Sequence, residues 1–398
     1  MDTTTWTEAE VMNGLIVELQ THLPLAWQGR RYGPTDIWRA VLGAAADAKS
    51  LHQFTATSAG SPHANTIFEV LRGQSWWNLK DAERLANALL RRGAAVLGKG
   101  PVPLAIDMHQ QPYWGEPDGV ARGGKPQQGT KLFHTYATLC ALRPHRLMTL
   151  AVTVVRPGDS IAAVVARLVA HVEPLQLWIK RALLDRQFFG AEVMATLQLA
   201  SWPFLIPVRK TGDAKQMTGT QRLFTWDTAG WTVWHMRRKD AESVRIDIVI
   251  EVVTEQGHRR ALPYAADGLP KTAPAQAASH YRPRNGIEAT YRAGYEARMK
   301  TSSPDSVYRL LRFVLSLALV NAWQATRFDL GERRVGRGGR RLPKKFCAFA
   351  QFRGWLTTAS RQVWPLRPPE TVAMIRQRTR RQRRHYRPIR RKRQLQVA

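Results

Sequence analysis

Pro103-Leu-Ala-Ile-Asp107-Met-His-Gln-Gln-Pro-Tyr-Trp114 is an apolar run that ends abruptly in a carboxylate and passes into polar, proline-interrupted sequence. Leu104, Ala105 and Ile106 are too few for a stable helix and are bounded by breakers, so the run reads as a fully buried strand. Asp107 falls where that strand surfaces, a position at which Asp commonly serves as a hydrogen-bonded turn residue. Two later stretches change its meaning. In Gln176-Leu-Trp-Ile-Lys-Arg-Ala-Leu-Leu-Asp185-Arg-Gln-Phe-Phe189 a second strand-like run again ends in Asp. In His280-Tyr-Arg-Pro-Arg-Asn-Gly-Ile-Glu-Ala-Thr-Tyr-Arg292, Glu288 follows Arg284 by four residues and Tyr281 by seven. On a helix those spacings set all three side chains on one face, although Pro283 and Gly286 weaken its start.

The Tyr281-x-x-Arg284-x-x-x-Glu288 motif, taken with Asp107 and Asp185, resembles the DDE transposases of bacterial and archaeal insertion sequences, in particular the IS-four-type group. The resemblance covers about residues 100–325. It implies a ribonuclease H-like core in which Asp107, Asp185 and Glu288 are the catalytic, metal-binding carboxylates, while Tyr281 and Arg284 handle DNA phosphate. Two Mg²⁺ (or Mn²⁺) ions roughly 3.5–4 Å apart suit such oxygen ligands, with Asp107 bridging and Asp185 and Glu288 each holding one ion. The family pattern expects Lys seven residues after the Glu, where this chain has Tyr295, and a small residue after the second Asp, where it has Arg186. Arg292, Arg298 and Lys300 are the candidates to replace that Lys in DNA-phosphate binding. The implied activity is DNA cleavage at element ends and strand transfer into target DNA. The implied partners are terminal inverted repeats, target DNA and a second copy of the chain as a homodimer on paired ends.

Charge points the same way. Lys and Arg number 60 against 30 Asp and Glu, a net charge of +30, which calls for a polyanionic partner, most simply nucleic acid. Residues 1–100 hold 10 basic and 9 acidic side chains, residues 101–330 hold 29 and 19, and residues 331–398 hold 21 and 2. The field therefore belongs to the C-terminal region and the central domain. Hydrophobic content of 44% over 398 residues allows two or three domains with a sizeable core. Cys140 and Cys347 stand in unrelated contexts, suggesting neither a disulfide framework nor a zinc site. No signal-peptide pattern opens the chain, and Phe313–Val320 is too short to span a membrane, so the expected location is a prokaryotic cytoplasm, at the nucleoid.

The fold class expected is α/β: a mixed ribonuclease H-like sheet preceded by a helical domain (residues 1–100) and followed by a basic region (326–398). Within the first domain, a helix opening at Pro34, a segment over 50–57, and a helix over His63–Leu71 capped by Ser61-Pro62 suggest a helix-turn-helix, with His63, Asn65 and Thr66 as DNA-reading candidates. A further helix is expected over Leu79–Leu97. In the catalytic domain (101–325) a Gly-rich connection over 115–129 precedes a strand pair around Arg143-Pro144, and a helix capped by Asp159 follows. Then come the Asp185 strand, a helix over Phe189–Leu199 and a strand over Phe204–Val208. This order matches that of the ribonuclease H-like core which the resemblance implies, where the first and fourth strands lie side by side and would bring Asp107 to Asp185. Residues 212–275 read as a β-rich insertion, with strands at Leu223–Trp226, Trp231–Trp234 and Val244–Val253. Trp226, Trp231 and Trp234 are candidates for stacking on unpaired bases. Residues 331–345 suit a flexible basic connection. The tail 376–398 reads as disordered, because 376–393 carries 11 basic residues and no acidic one.

Three other readings compete. A tyrosine recombinase is suggested by His235-Met-Arg-Arg238 with Tyr264, but those residues sit in β-rich sequence. A basic DNA-binding protein derived from a transposase would bind without cutting. A ribonuclease H-like nuclease would cut without joining ends.

Overall fold

The computed structural model describes residues 7–144, 146–237, 243–271, 274–335 and 347–368. Five helices come first: α1 (Glu8–His22), α2 (Pro34–Ala46), α3 (Leu51–Thr57), α4 (Ala64–Arg72) and α5 (Leu79–Arg91). Thr7 and Ser50 open α1 and α3 as capping boxes; the Thr7 hydroxyl accepts from the Glu10 amide at 3.2 Å, and the Glu10 carboxylate accepts from the Thr7 amide at 2.8 Å. The expected cap of α4 moves by two residues. Ser61 is buried with its hydroxyl donated to backbone carbonyls, and His63 Nδ1 accepts from the Asn65 amide instead. The helix at Leu79 stops at Arg91 and tightens into a 3₁₀ turn over Arg92–Val96, which contains Gly93.

The central stretch then builds β1 (Val102–Tyr113), β2 (Arg122–Gln127), β3 (Thr130–Arg143), β4 (Arg146–Val155), α6 (Ile161–Val172), β5 (Ile179–Leu184), α7 (Ala191–Leu199) and β6 (Phe204–Pro207). Next come β7 (Gly230–Met236), β8 (Val244–Glu255), β9 (His258–Asp267), α8 (Ala277–Tyr281) and α9 (Asn285–Glu296). The long α10 (Ser306–Val335) and α11 (Phe349–Val363) follow. Among the described residues the strands form one nine-stranded sheet in the order β2-β3-β1-β5-β6-β9-β8-β7, with β4 also paired to β3. β1 lies parallel to β5 and β5 parallel to β6, while the other pairs are antiparallel. The sheet is therefore mixed, and β1 and β5, which leads into Asp185, are neighbours, as the resemblance leads one to expect.

Several expectations are corrected. β1 does not end at Asp107 but runs on to Tyr113, because β3 pairs with it through Tyr113 after β5 has dropped away at Ile106. Beyond Ile106 it has one partner only, so Pro112 with its missing N–H is tolerated. The Gly-rich connection contains β2, and Leu223–Trp226 is no strand, since Gly219–Thr225 winds as a 3₁₀ turn. Ser160, not Asp159, caps α6; Asp159 instead accepts from the Arg156 amide at 2.8 Å and pairs with Arg167 at 2.6 Å. Ile161, the first residue of α6, is 36% exposed. The β-rich segment continues the same sheet through the β6–β9 pairing rather than forming a separate layer. Residues 331–335 belong to α10, while 336–346 and the tail from 369 lie outside the described residues.

One face of the sheet is covered by α6 and α7, through Val164, Leu168, Met194 and Leu197 packed on Leu104, Ile106 and Leu184. Ile287 of α9 and the buried row of α10 cover the other face. The window over Ser306–Leu330 is apolar enough to cross a membrane by length and composition, yet 78% of it is buried inside the fold, as a core helix would be. Helices also seal the outer side of β4. Asn87 of α5 bonds both backbone groups of Val152 at 2.8 Å, and Asn321 of α10 bonds those of Thr149 at 2.9 and 2.8 Å. Two amides thus bond the outer edge of β4 at Thr149 and Val152 as a further strand would. At the C-terminal end α11 packs on α1 and α2, with Phe352 and Leu356 fully buried.

Candidate active site

Asp107, Asp185 and Glu288 converge on one guanidinium. Arg284 Nη2 lies 3.1 Å from Asp107 Oδ1 and 3.9 Å from Asp185 Oδ2, while Nη1 lies 2.9 Å from Glu288 Oε1. The backbone explains each approach. Asp107 stands just past the last parallel pair, Ile106 with Leu184, so the end of β5 delivers Asp185 beside it. Pro283 forces a 3₁₀ turn over Arg282–Arg284 between α8 and α9, so the expected continuous helix is broken. The four-residue spacing from Arg284 to Glu288 nevertheless survives as an ion pair. Tyr281 ends α8 and donates its hydroxyl to the Leu184 carbonyl at 3.0 Å, fastening the helix to the strand end that carries Asp185.

The electrostatics are those of a crowded acidic site. Arg284 and Asp107 are largely buried, with side chains 9% and 12% exposed, whereas Asp185 and Glu288 open toward solvent at 43% and 53%. Burial pushes the Asp107 carboxyl up to about 6, against Arg284 and the Met108 amide, which favour its charged form; Asp185 and Glu288 add to the rise. Burial also disfavours the charge on Arg284, but Asp107, Tyr281, Asp185 and Glu288 outweigh it and raise the guanidinium pKa above its ordinary value. The Asp185 carboxylate accepts from the Arg186 amide at 2.6 Å, which fixes the start of the turn that follows β5.

Three carboxylates against one monovalent cation leave negative charge unneutralised, and all three offer the hard oxygens that Mg²⁺ or Mn²⁺ takes. The donor set therefore fits a divalent ion in its chemistry. Its present arrangement is a salt-bridge cluster: among the described residues no group of three or more His, Cys, Asp or Glu side chains is spaced to hold a metal ion, and Arg284 joins the carboxylates.

Residues missed from sequence support this cluster. Thr138, opposite Asp107 on β3, donates its hydroxyl to Tyr291 Oη at 2.6 Å, and Tyr291 donates in turn to the Asp107 carbonyl at 3.3 Å. Tyr291 lies one helical turn beyond Glu288, a spacing that carries the signal. Two residues along β1, His109 stacks on Phe313 and tilts against Tyr291; burial, with Arg298 and Arg312, pushes its imidazole down to about 4. Of the three replacements considered for the family Lys, Arg298 faces inward, with Nη1 3.1 Å from His109 Nε2 and its guanidinium over the Tyr295 ring. Arg292 and Lys300 are exposed, as is Tyr295 at 65%.

The remaining candidates lie elsewhere. Trp231 packs on one side of the sheet, whereas Trp226 and Trp234 pack on the other, so the three share no single stacking surface. Arg222 covers the Trp234 ring at 4.5 Å. His63 and Asn65 are exposed and Thr66 half-buried on the first turn of α4, joined to α3 by residues 58–63. For the recombinase reading, His235 sits on β7 and Tyr264 on β9, with Arg238 outside the described residues.

No protein-family model and no curated protein matches the chain. Among solved structures the chain is similar to piggyBac transposase, determined as a synaptic complex with hairpin DNA, at a TM-score of 0.55. The likeness covers 90% of this chain and 82% of that one, at 10% sequence identity. It is a likeness of fold. At this identity no residue role passes from one to the other.

Proposed function

We propose that this chain is a DDE transposase of the IS-four type, with a ribonuclease H-like core, that cleaves DNA at element ends and transfers the freed ends into target DNA. The observation that carries the reading is the convergence of Asp107, Asp185 and Glu288, separated by 181 residues of sequence, on the single side chain of Arg284. The similarity of fold to a transposase and the net charge of +30 support it.

Asp107, Asp185 and Glu288 are the residues to hold two Mg²⁺ or Mn²⁺ ions, which when bound supply Lewis-acid polarisation of phosphate and activation of the attacking oxygen. In cleavage, a water oxygen bonds to phosphorus as the P–O3′ bond breaks; the water proton ends on the departing 3′ oxygen, leaving a 3′ hydroxyl and a 5′ phosphate. In strand transfer, that 3′ hydroxyl forms one phosphodiester bond with the target as another breaks, so no external energy source is consumed. Arg284, with a planar fork already bonded to two carboxylates, is the residue to grip phosphate oxygens. Tyr281 acts by holding Leu184 and hence Asp185 in position. Arg292 and Lys300, exposed at the end of α9 and beyond it, follow the DNA backbone. A homodimer on paired terminal inverted repeats completes the reading.

Relaxation of supercoiled plasmid tests it. Wild type should nick in Mg²⁺ and not in EDTA, and Asp185→Asn or Glu288→Gln should lower the rate by at least about 100-fold while DNA affinity stays within about threefold. DNA binding without nicking in any divalent metal would leave only the reading of a transposase-derived DNA-binding protein, which the Arg284-bridged cluster alone would also satisfy.

A further inference from the structure

Between the far end of β1 and the first turns of α10 lies a buried layer of polar side chains that the acidic cluster does not use. Arg312 donates Nη1 to the Met299 carbonyl at 2.8 Å and Nη2 to Gln111 Oε1 at 2.6 Å. Arg309, one turn earlier on α10, donates Nη1 to the Ser303 carbonyl at 3.2 Å and Nη2 to the Pro112 carbonyl at 2.6 Å, with its guanidinium 5.0 Å from the centre of the Tyr113 ring. Arg298, just beyond α9, brings a third guanidinium against His109. The four bonds of Arg309 and Arg312 all end on neutral oxygens, so neither charge is paired by them.

An unpaired buried charge is strongly destabilising. Burial, with Arg298 and Arg309 adding, pushes the Arg312 guanidinium down to about 10, which still leaves it charged at pH 7. The titratable neighbours supply little compensation. Burial holds His109 and His134 at about 4, hence neutral, and raises Tyr136 so that its phenol keeps the proton. Asp118 faces the layer with Oδ2 3.0 Å from His134 Nε2. One carboxylate stands against three guanidiniums.

Unmet donors gather in the same place. Arg309 Nε, Arg312 Nε, Gln111 Nε2 and Tyr136 Oη are buried and have no hydrogen-bond partner among the described residues. Gln111 and Tyr136 project from one face of the sheet, opposite His134 and His109 respectively, and so are diagonal neighbours. Tyr136 also stacks at 4.7 Å on Phe313, the residue after Arg312. The nitrogens can only donate, because Gln111 Oε1 is already taken by Arg312. A water molecule would accept from two such donors but bring two hydrogens of its own and no charge. An anion answers both needs. We infer that the layer binds one small monovalent inorganic anion, of the chloride class, between Arg309, Arg312, Gln111 and Tyr136. Burial sets the size limit, since side chains at most 9% exposed are beyond the reach of a duplex backbone. The ion fastens α10 to β1, and the inference does not rest on the cleavage reading.

Thermal melts in EDTA at fixed ionic strength, with sodium gluconate replaced stepwise by sodium chloride, test it; gluconate is too large to enter. The wild-type midpoint should rise saturably, by at least about 2 °C. Tyr136→Phe, which removes one donor and keeps the ring, should raise the half-saturating chloride concentration by about three- to tenfold. Arg312→Met should abolish the saturable rise; should that variant fail to fold, wild type and Tyr136→Phe decide. Crystals grown in sodium bromide should show an anomalous peak between α10 and β1. A rise that is linear in chloride, or one that survives in Arg312→Met, would mean an adventitious ion only, held at the basic surface, and would overturn the inference. A bromide peak confined to surface side chains would do the same.

Discussion

At the scale of single residues, the active-site proposal makes Asp107 an expensive group. Its carboxyl is raised to about 6 by burial in spite of Arg284. An acid whose folded-state pKa exceeds its unfolded value stabilises the fold only when protonated, so the contribution is present below about 4 and is lost as pH rises through about 6. Asp107→Asn should therefore stabilise the metal-free chain at pH 7 by roughly 1–3 kcal/mol, with a gain that shrinks as pH falls toward 5, while eliminating nicking. A lower melting temperature at pH 7 for Asp107→Asn in EDTA would show that the Arg284 pairing outweighs burial. His134 works with the opposite sign. It is fully buried and held at about 4 by burial, against Asp118. The unfolded chain therefore binds the extra proton, and stability falls as pH drops from about 6.5 toward 4. Thermal melts of His134→Gln between pH 7 and 5 should show a shallower fall than wild type. The three carboxylates were legible in the sequence through apolar runs that break at Asp, a four-residue Arg–Glu spacing and the family resemblance these carry, all of them local patterns, although β1 in fact continues past Asp107. Tyr291, His109 and Arg298 were not, because their importance arises only where α9 and α10 cross β1.

At the scale of elements, periodicity and breakers located most of the helices and the β3–β4 pair. They failed where tertiary pairing overrides local signals. The strand looked as if it ended at Asp107 before polar, Pro-containing sequence, but pairing with β3 carries it to Tyr113, and with one partner there Pro112 is harmless. Leu223–Trp226 alternates like a strand, yet Gly219 with φ of 58° and the Thr220 hydroxyl bonded to the Arg209 carbonyl at 2.7 Å hold a turn there. Nothing in the sequence announced that Asn87 and Asn321 would act as strand surrogates, since buried amides on apolar helix faces have no periodic signature. Their contribution is measurable. Asn87→Leu leaves the amide and carbonyl of Val152 without partners in a buried edge, and should cost roughly 2–4 kcal/mol, read as a shift in urea midpoint at unchanged slope. A shift below about 0.5 kcal/mol would mean the edge is satisfied in another way.

At the scale of the whole molecule, a sheet of nine strands holds the acidic cluster at the ends of its parallel strands. Most of the excess positive charge lies in residues 331–398. Truncation after residue 375 removes 11 basic side chains, and the salt slope of duplex binding should fall by at least about 3 in log–log units while nicking at low salt persists. An unchanged slope would assign DNA affinity to the folded body alone. The central claim is that Asp107, Asp185 and Glu288, clamped at present by Arg284, form a site for divalent ions. Electron paramagnetic resonance of Mn²⁺ titrated into the protein with a short duplex tests it most directly. The account predicts saturable binding of two ions per chain, reduced to one or none in Asp107→Asn; binding that never saturates, or that is identical in Asp107→Asn, would contradict it.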